Sequence, residues 1–131
     1  MKILCVDDEI CILKSLRRLF RMAGYKIATA SSAQAGLDIM AEDSAISLVI
    51  SDYQMPGANG VSFLREIRRN WPETGRFLLT GYADKQEMSL AIADRVIQRL
   101  IDKPWQDDER LASVAQRLGP PATGTLFRLS I

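Results

Sequence analysis

Four polar clusters in this 131-residue chain each follow a short apolar run. Asp7-Asp8-Glu9 comes after Ile3 to Val6, Asp52 after Ile46 to Ile50, Thr80 after Phe77 to Leu79, and Asp102-Lys103-Pro104 after Val96 to Ile101. Carboxylates, a hydroxyl and an ammonium are the groups that hold a hard divalent cation and receive an anionic group beside it. Other chemistry is excluded by composition. The chain has no histidine, so neither a Ser-His-Asp nor a Cys-His nucleophile can be built within it. Two cysteines without histidine also fall short of the four N/S ligands of a structural zinc site.

The elements that must position these clusters alternate along the whole chain. Ile3 to Val6 is a continuous apolar run, as a strand covered on both faces requires, and Ile46 to Ile50 is the clearest example. Lys26 to Ala30 is a weaker strand, Phe77 to Thr80 a fourth, and Val96 to Ile101 a fifth. Between them, Leu13, Leu16 and Phe20 recur at helical spacing up to Gly24, and Ser31 or Ser32 caps a helix carrying Ala33, Leu37 and Met40. Phe63, Leu64 and Ile67 mark a third helix ending near Trp71-Pro72. Met88, Ala91 and Ile92 mark a fourth, and Leu111, Val114 and Leu118 a fifth. Asp52 to Gly60 reads as a turn-rich loop.

Five βα units imply an α/β fold: a five-stranded parallel sheet, doubly wound, with five helices on its two faces. At this size the flavodoxin-like strand order 2-1-3-4-5 is expected. Residues 1–118 form the domain; Gly119-Pro120-Pro121 ends the last helix, and residues 119–131 read as a tail or the start of a linker. The 47% hydrophobic and 25% charged content is that of an ordinary globule. A net charge of +1 gives no case for direct nucleic-acid binding, so Arg17, Arg18, Arg21 and Arg65, Arg68, Arg69 read as solvated helix faces. No apolar run reaches the ~18 residues of a membrane span and no signal peptide is visible, so a cytoplasmic location is expected. Cys5 and Cys11 read as reduced core thiols.

In such a sheet the ligand site lies at the carboxyl ends of the strands, beside the point where strand order reverses. The four polar clusters would meet there. Two like charges about 4 Å apart repel by ~4 kcal/mol at an effective dielectric near 20. Either a carboxylate takes up a proton or a divalent cation sits among them, and Mg²⁺ suits an all-oxygen site. Each residue alone has a plainer reading: Asp7 or Asp8 as a helix cap, Asp52 as a turn starter. Their coincidence on one edge is harder to explain that way.

The runs Ile3-Leu4-Cys5-Val6-Asp7-Asp8-Glu9, Val49 through Gly57, Leu79-Thr80-Gly81 and Asp102-Lys103-Pro104-Trp105 resemble, in register, the receiver domain of two-component response regulators. That resemblance implies that Asp52 accepts a phosphoryl group from a partner's phosphohistidine. It implies Mg²⁺ held by Asp8, by Asp7 through water, by Asp52 and by the backbone carbonyl of Gln54. Thr80 and Lys103 would bind phosphoryl oxygens, with a cis bond between Lys103 and Pro104. Such a domain catalyses only its own phosphorylation and dephosphorylation, and is otherwise not an enzyme.

The implied partners are a sensor histidine kinase or a histidine phosphotransfer protein, an output domain or effector, and a second copy through the fourth helix, fifth strand and fifth helix. The kinase would dock on the first helix, where Ile12 is a candidate exposed contact. One position departs from the pattern: Leu100 stands where the family carries Tyr or Phe, so the switch is expected to run through the Thr80 to Met88 segment, with Tyr82 as a substitute. Two other functions compete. A receiver-like scaffold could bind partners without phosphorylation. The other is a Mg²⁺-dependent aspartyl-phosphate phosphatase; those of the haloacid dehalogenase type carry a second aspartate two positions after the nucleophile, where this chain has Gln54.

Overall fold

Residues 2–80 and 85–102 are described here from a computed structural model of the chain. They form β1 (Lys2–Val6), α1 (Ile10–Met22), β2 (Lys26–Ala30), α2 (Ala33–Glu42), β3 (Ile46–Asp52), the two-residue strands β4 (Gln54–Met55) and β5 (Ala58–Asn59), α3 (Gly60–Asn70), β6 (Gly75–Thr80), α4 (Lys85–Ala93) and β7 (Arg99–Asp102). The main sheet runs β2-β1-β3-β6-β7 and every pairing in it is parallel. Counted without the small β4–β5 pair, that is the expected order 2-1-3-4-5. The expected fifth helix lies outside the described residues.

The continuous apolar strands are explained by burial on both faces. Because successive side chains alternate, each central strand feeds two cores. Ile3, Cys5, Leu48, Ile50, Phe77 and Leu79 point to the side of α1, against Leu13, Leu16 and Phe20. Leu4, Val6, Val49 and Leu78 point to the other side, against Phe63, Leu64 and Ile67 of α3. Strand β2 lies at the edge and is only partly covered, which accounts for its weaker apolar pattern.

Several local expectations change. Ser32, not Ser31, caps α2, its hydroxyl accepting from the Ala35 N–H at 3.1 Å. Glu9 is the N-cap of α1 without a side-chain cap bond, while the Asp7 carboxylate accepts from the Glu9 N–H at 2.9 Å. The segment from Asp52 to Gly60 is not a plain loop, since β4 and β5 pair antiparallel within it. Cys5 is in the core as expected, but Cys11 is exposed. Ile12 is half-buried against the α1-side core, and Ile10 is the exposed apolar residue at this end of the helix. All six arginines of the two clusters are exposed.

The last strand starts at Arg99 rather than Val96, because α4 closes with a left-handed turn first. Arg95 has φ 62°, its N–H bonds to the Ile92 carbonyl at 3.0 Å, and the Val96 N–H reaches the Ala91 carbonyl at 2.9 Å. This is a Schellman ending, with Val96 packed into the core as its apolar partner. Its usual glycine is replaced by arginine, so no sequence signal marks the stop.

At the far edge of the sheet, Lys2 forms a hydrogen-bonded ion pair with Asp43. That bond, with the Ala45 N–H donating to the same carboxylate, holds Asp43 below the ordinary value of 3.8. A depressed carboxylate contributes stability above its unfolded value and loses it as pH falls through the folded one. Lys2→Met is therefore expected to flatten the loss of stability below pH ~4, read as the urea midpoint at successive pH values. An unchanged slope would show that the pair contributes nothing.

Candidate functional site

The register of the sheet sets which residues meet at its carboxyl edge. Val6 pairs with Ser51, Asp52 with Leu79, and Thr80 with Asp102, so the ends of β1, β3, β6 and β7 stand side by side. Asp7 directly follows β1 and is fully buried; Asp52 is the last residue of β3 and only 6% exposed; Asp8 is exposed. Carboxylate oxygens of the three lie within 4.8 Å of one another. Thr80 ends β6 and is buried. Gln54 is in β4 with an exposed side chain, two residues past Asp52. Lys103, Pro104 and Tyr82 lie outside the described residues.

The trio is suited to a hard cation. Oxygens around an octahedral Mg²⁺ stand about 3 Å apart when adjacent and about 4 Å when opposite, so small side-chain rotations would close these carboxylates onto one ion. Two of the three are buried, where like charges repel more strongly than in water, and an ion would relieve that repulsion. Thr80 ends β6 one residue past Leu79, the pairing partner of Asp52.

Backbone contacts fix where Asp52 stands. The Tyr53 N–H donates to the Leu79 carbonyl at 2.9 Å, carrying the β3–β6 pairing one residue past the strand. The buried Ser51 hydroxyl donates to the Asp52 carbonyl at 2.9 Å. The Gly60 N–H donates to the Tyr53 carbonyl at 2.7 Å, which closes the β4–β5 excursion and brings α3 up to the site. Asn59 caps α3, its side chain accepting from the Ser62 N–H at 2.8 Å. Gly60 has no room for a side chain: a Cβ there would lie 2.2 Å from the Asp52 carbonyl oxygen. Gly57 differs, with φ +82° and open space around it. From the sequence both glycines lie within a turn-rich loop with nothing to tell them apart, and Ser51 was missed, although its small polar side chain between Ile50 and Asp52 was the available signal.

Comparison with known proteins agrees with this geometry. A family model described as the response regulator receiver domain matches residues 3–115. The hydrogenase transcriptional regulatory protein HoxA of Cupriavidus necator is 33% identical over 130 residues, covering 98% of this chain but 27% of the regulator's own length. The signal receiver domain of an HD domain-containing protein from Pseudomonas fluorescens superposes with a TM-score of 0.84 at 35% identity, covering 89% of this chain and 93% of that one. The response regulator TrrA of Thermotoga maritima, solved in complex with Mg²⁺ and BeF, gives 0.79 at 29% identity, covering 89% and 98%. Among the described residues no helix is long and apolar enough to cross a membrane. Because the family match runs through all the described elements and not the acidic edge alone, the chain belongs to the response regulator receiver domains.

Proposed function

We propose that Asp52 is the phosphoacceptor of this receiver, with Asp7, Asp8, Asp52 and the backbone carbonyl of Gln54 as the groups that would hold Mg²⁺. The observation that carries this is the meeting of Asp7, Asp8 and Asp52 within 4.8 Å, two of them buried, at the sheet edge where strand order reverses. That a related regulator, TrrA, was solved with Mg²⁺ and BeF supports the choice of ion and of a phosphoryl-like ligand. Bound there, Mg²⁺ would supply charge neutralisation at the phosphoryl oxygens.

The chemistry asks little more of the chain. An Asp52 oxygen attacks phosphorus, a new O–P bond forms, and the P–N bond to the partner's imidazole breaks. The leaving imidazole takes up a proton and no general base is needed, which fits a chain without histidine. Thr80, beside the acidic trio, would donate to one phosphoryl oxygen, and Lys103 would pair with another. The donor is a sensor histidine kinase or a histidine phosphotransfer protein in the cytoplasm. Residues 1–118 would act as the switch and 119–131 as tail or linker to an output. The fourth helix, fifth strand and fifth helix would be the surface that carries the signal to an effector or a second copy. Leu100 is half-buried against the α3-side core, so an aromatic relay at that position is replaced by movement of the segment from Thr80 to Met88.

Incubation with acetyl phosphate and Mg²⁺ is the direct test. Intact mass should rise by one phosphoryl group, the gain should vanish with EDTA, and peptide mapping should place it on Asp52. No adduct, or an adduct on another residue, would overturn the reading.

A further inference from the structure

Ser51 carries a fully buried hydroxyl that no step of the phosphoacceptor chemistry uses. It follows Leu48, Val49 and Ile50, three apolar residues that are themselves fully buried. Its register neighbours are Val6 of β1 and Leu78 of β6, both apolar and both in the α3-side core. A hydroxyl placed there gives up water, which is unfavourable unless a partner replaces it, and a small apolar side chain would meet no such penalty. Packing alone gives no reason for a serine at this position. A local rule broken in this way, one residue from a functional group, points to a role in the site.

The hydrogen bond it makes supplies the reason. Ser51 Oγ lies 2.9 Å from the Asp52 carbonyl oxygen, and since a carbonyl only accepts, the hydroxyl is the donor. The peptide plane between Asp52 and Tyr53 carries that carbonyl at one end and the Tyr53 N–H at the other. A trans plane points the two in opposite directions. The N–H end is held by β6, through the Leu79 carbonyl at 2.9 Å. The carbonyl end therefore faces the β1 side, where the β1–β3 register stops at Val6 and Ser51, one residue short of Asp52. Ser51 supplies a bond just where the sheet ladder ends. Gly60 closes over the same oxygen, with no room there for a Cβ.

That plane joins two groups assigned to the same Mg²⁺. It leaves the Cα that bears the Asp52 carboxylate, and the chain it begins leads to the Gln54 carbonyl. Groups that hold a metal's ligands in place are part of what sets its affinity.

We propose that Ser51 is a positioning residue for the phosphoacceptor: its hydroxyl fixes the peptide plane after Asp52 and so sets how the Asp52 carboxylate and the Gln54 carbonyl stand to one another. The inference rests on the reading of Asp52 as the phosphoacceptor. Ser51 acts through the Asp52 backbone, its side chain being turned to the α3-side core.

Four variants of the full chain test this by acetyl-phosphate labelling, by MgCl₂ titration followed in amide NMR spectra, and by urea unfolding. Ser51→Ala should lower the labelling rate of the folded protein about tenfold and raise the apparent Mg²⁺ dissociation constant about threefold or more. Ser51→Thr and Ser51→Val have nearly the same shape and differ by the hydroxyl. The threonine variant should exceed the valine variant by those same factors, even where the added methyl lowers both. Val49→Ala is the structural control, fully buried on the same face of β3 and in the same core. It should lower the urea midpoint at least as far as Ser51→Ala while keeping the parent's labelling rate and Mg²⁺ affinity. Threonine and valine variants that label and bind Mg²⁺ alike, or a Val49→Ala that loses both properties as Ser51→Ala does, would overturn the proposal. A parent that binds Mg²⁺ but takes no label fails the phosphoacceptor reading instead, and the Mg²⁺ comparison then decides the role of Ser51. A parent that does neither overturns both.

Discussion

Asp52→Asn is expected to abolish acetyl-phosphate labelling and, in metal-free buffer, to make the protein more stable than the parent. The first half follows from replacing the nucleophilic oxygen pair by an amide. The second follows from geometry. Asp7 is fully buried, Asp52 nearly so, and their oxygens and those of Asp8 lie within 4.8 Å. At that separation a like pair repels by about 3 kcal/mol with an effective dielectric near 20. Asp52 has interactions of its own that the amide would weaken, and Asp8 is screened by solvent. A net gain of about 1–2 kcal/mol, several degrees in thermal midpoint, remains.

Mg²⁺ should stabilise the two proteins unequally. An ion that binds only the folded state stabilises in proportion to the logarithm of its concentration over its dissociation constant. The parent, with three carboxylates, should gain clearly on titration with MgCl₂, and Asp52→Asn should gain less, so the gap between them narrows or reverses. A parent that is already the more stable in EDTA, or a midpoint indifferent to Mg²⁺ in both, would mean that the trio is not an electrostatically strained cation site.

How much of this could be read from residue order depends on how local the cause is. β1, β3 and β6 show as apolar runs because burial on both faces removes the polar alternation of a half-exposed strand. Once three or four such runs are placed in a parallel sheet, Asp7, Asp8, Asp52 and Thr80 fall on one edge with no further information. Features set by distant partners stayed hidden. Arg76 sits inside a strand, where a charge reads as a break, so that strand was expected to begin at Phe77; its charge is satisfied by the carbonyls of Arg95 and Val96, about twenty positions away. The late start of β7 has the same origin, since Val96 and Ile97 are as apolar as strand residues but are buried beneath a turn whose left-handed residue is arginine. Cys11 and Ile12 exchanged expectations because a shift of one position on a helix moves a side chain by about 100°.

Gly57 and Gly60 are indistinguishable in a turn-rich segment, and their substitutions should separate them sharply. Gly57→Ala asks only for a left-handed conformation with a Cβ, with nothing within 4 Å of the new methyl. The expected cost is about 1 kcal/mol. Gly60→Ala places a methyl 2.2 Å from the Asp52 carbonyl oxygen and 2.8 Å from Leu78 Cδ1. Leu78 is fully buried in the centre of the sheet, and the carbonyl belongs to the last residue of β3 and is held by Ser51. The Leu78 methyl is the end of a side chain and can give a little, but the Asp52 carbonyl cannot withdraw without moving its strand or α3, whose first residue is Gly60. The expected loss is about 3 kcal/mol or more, measured by urea unfolding, beyond the usual cost of an added methyl. Because the displaced atom is part of Asp52, the folded fraction should also lose acetyl-phosphate labelling, whereas Gly57→Ala should keep it. Equal costs at the two positions would show that α3 is free to retreat from the phosphoacceptor, and that the close approach of Gly60 does not set the position of Asp52.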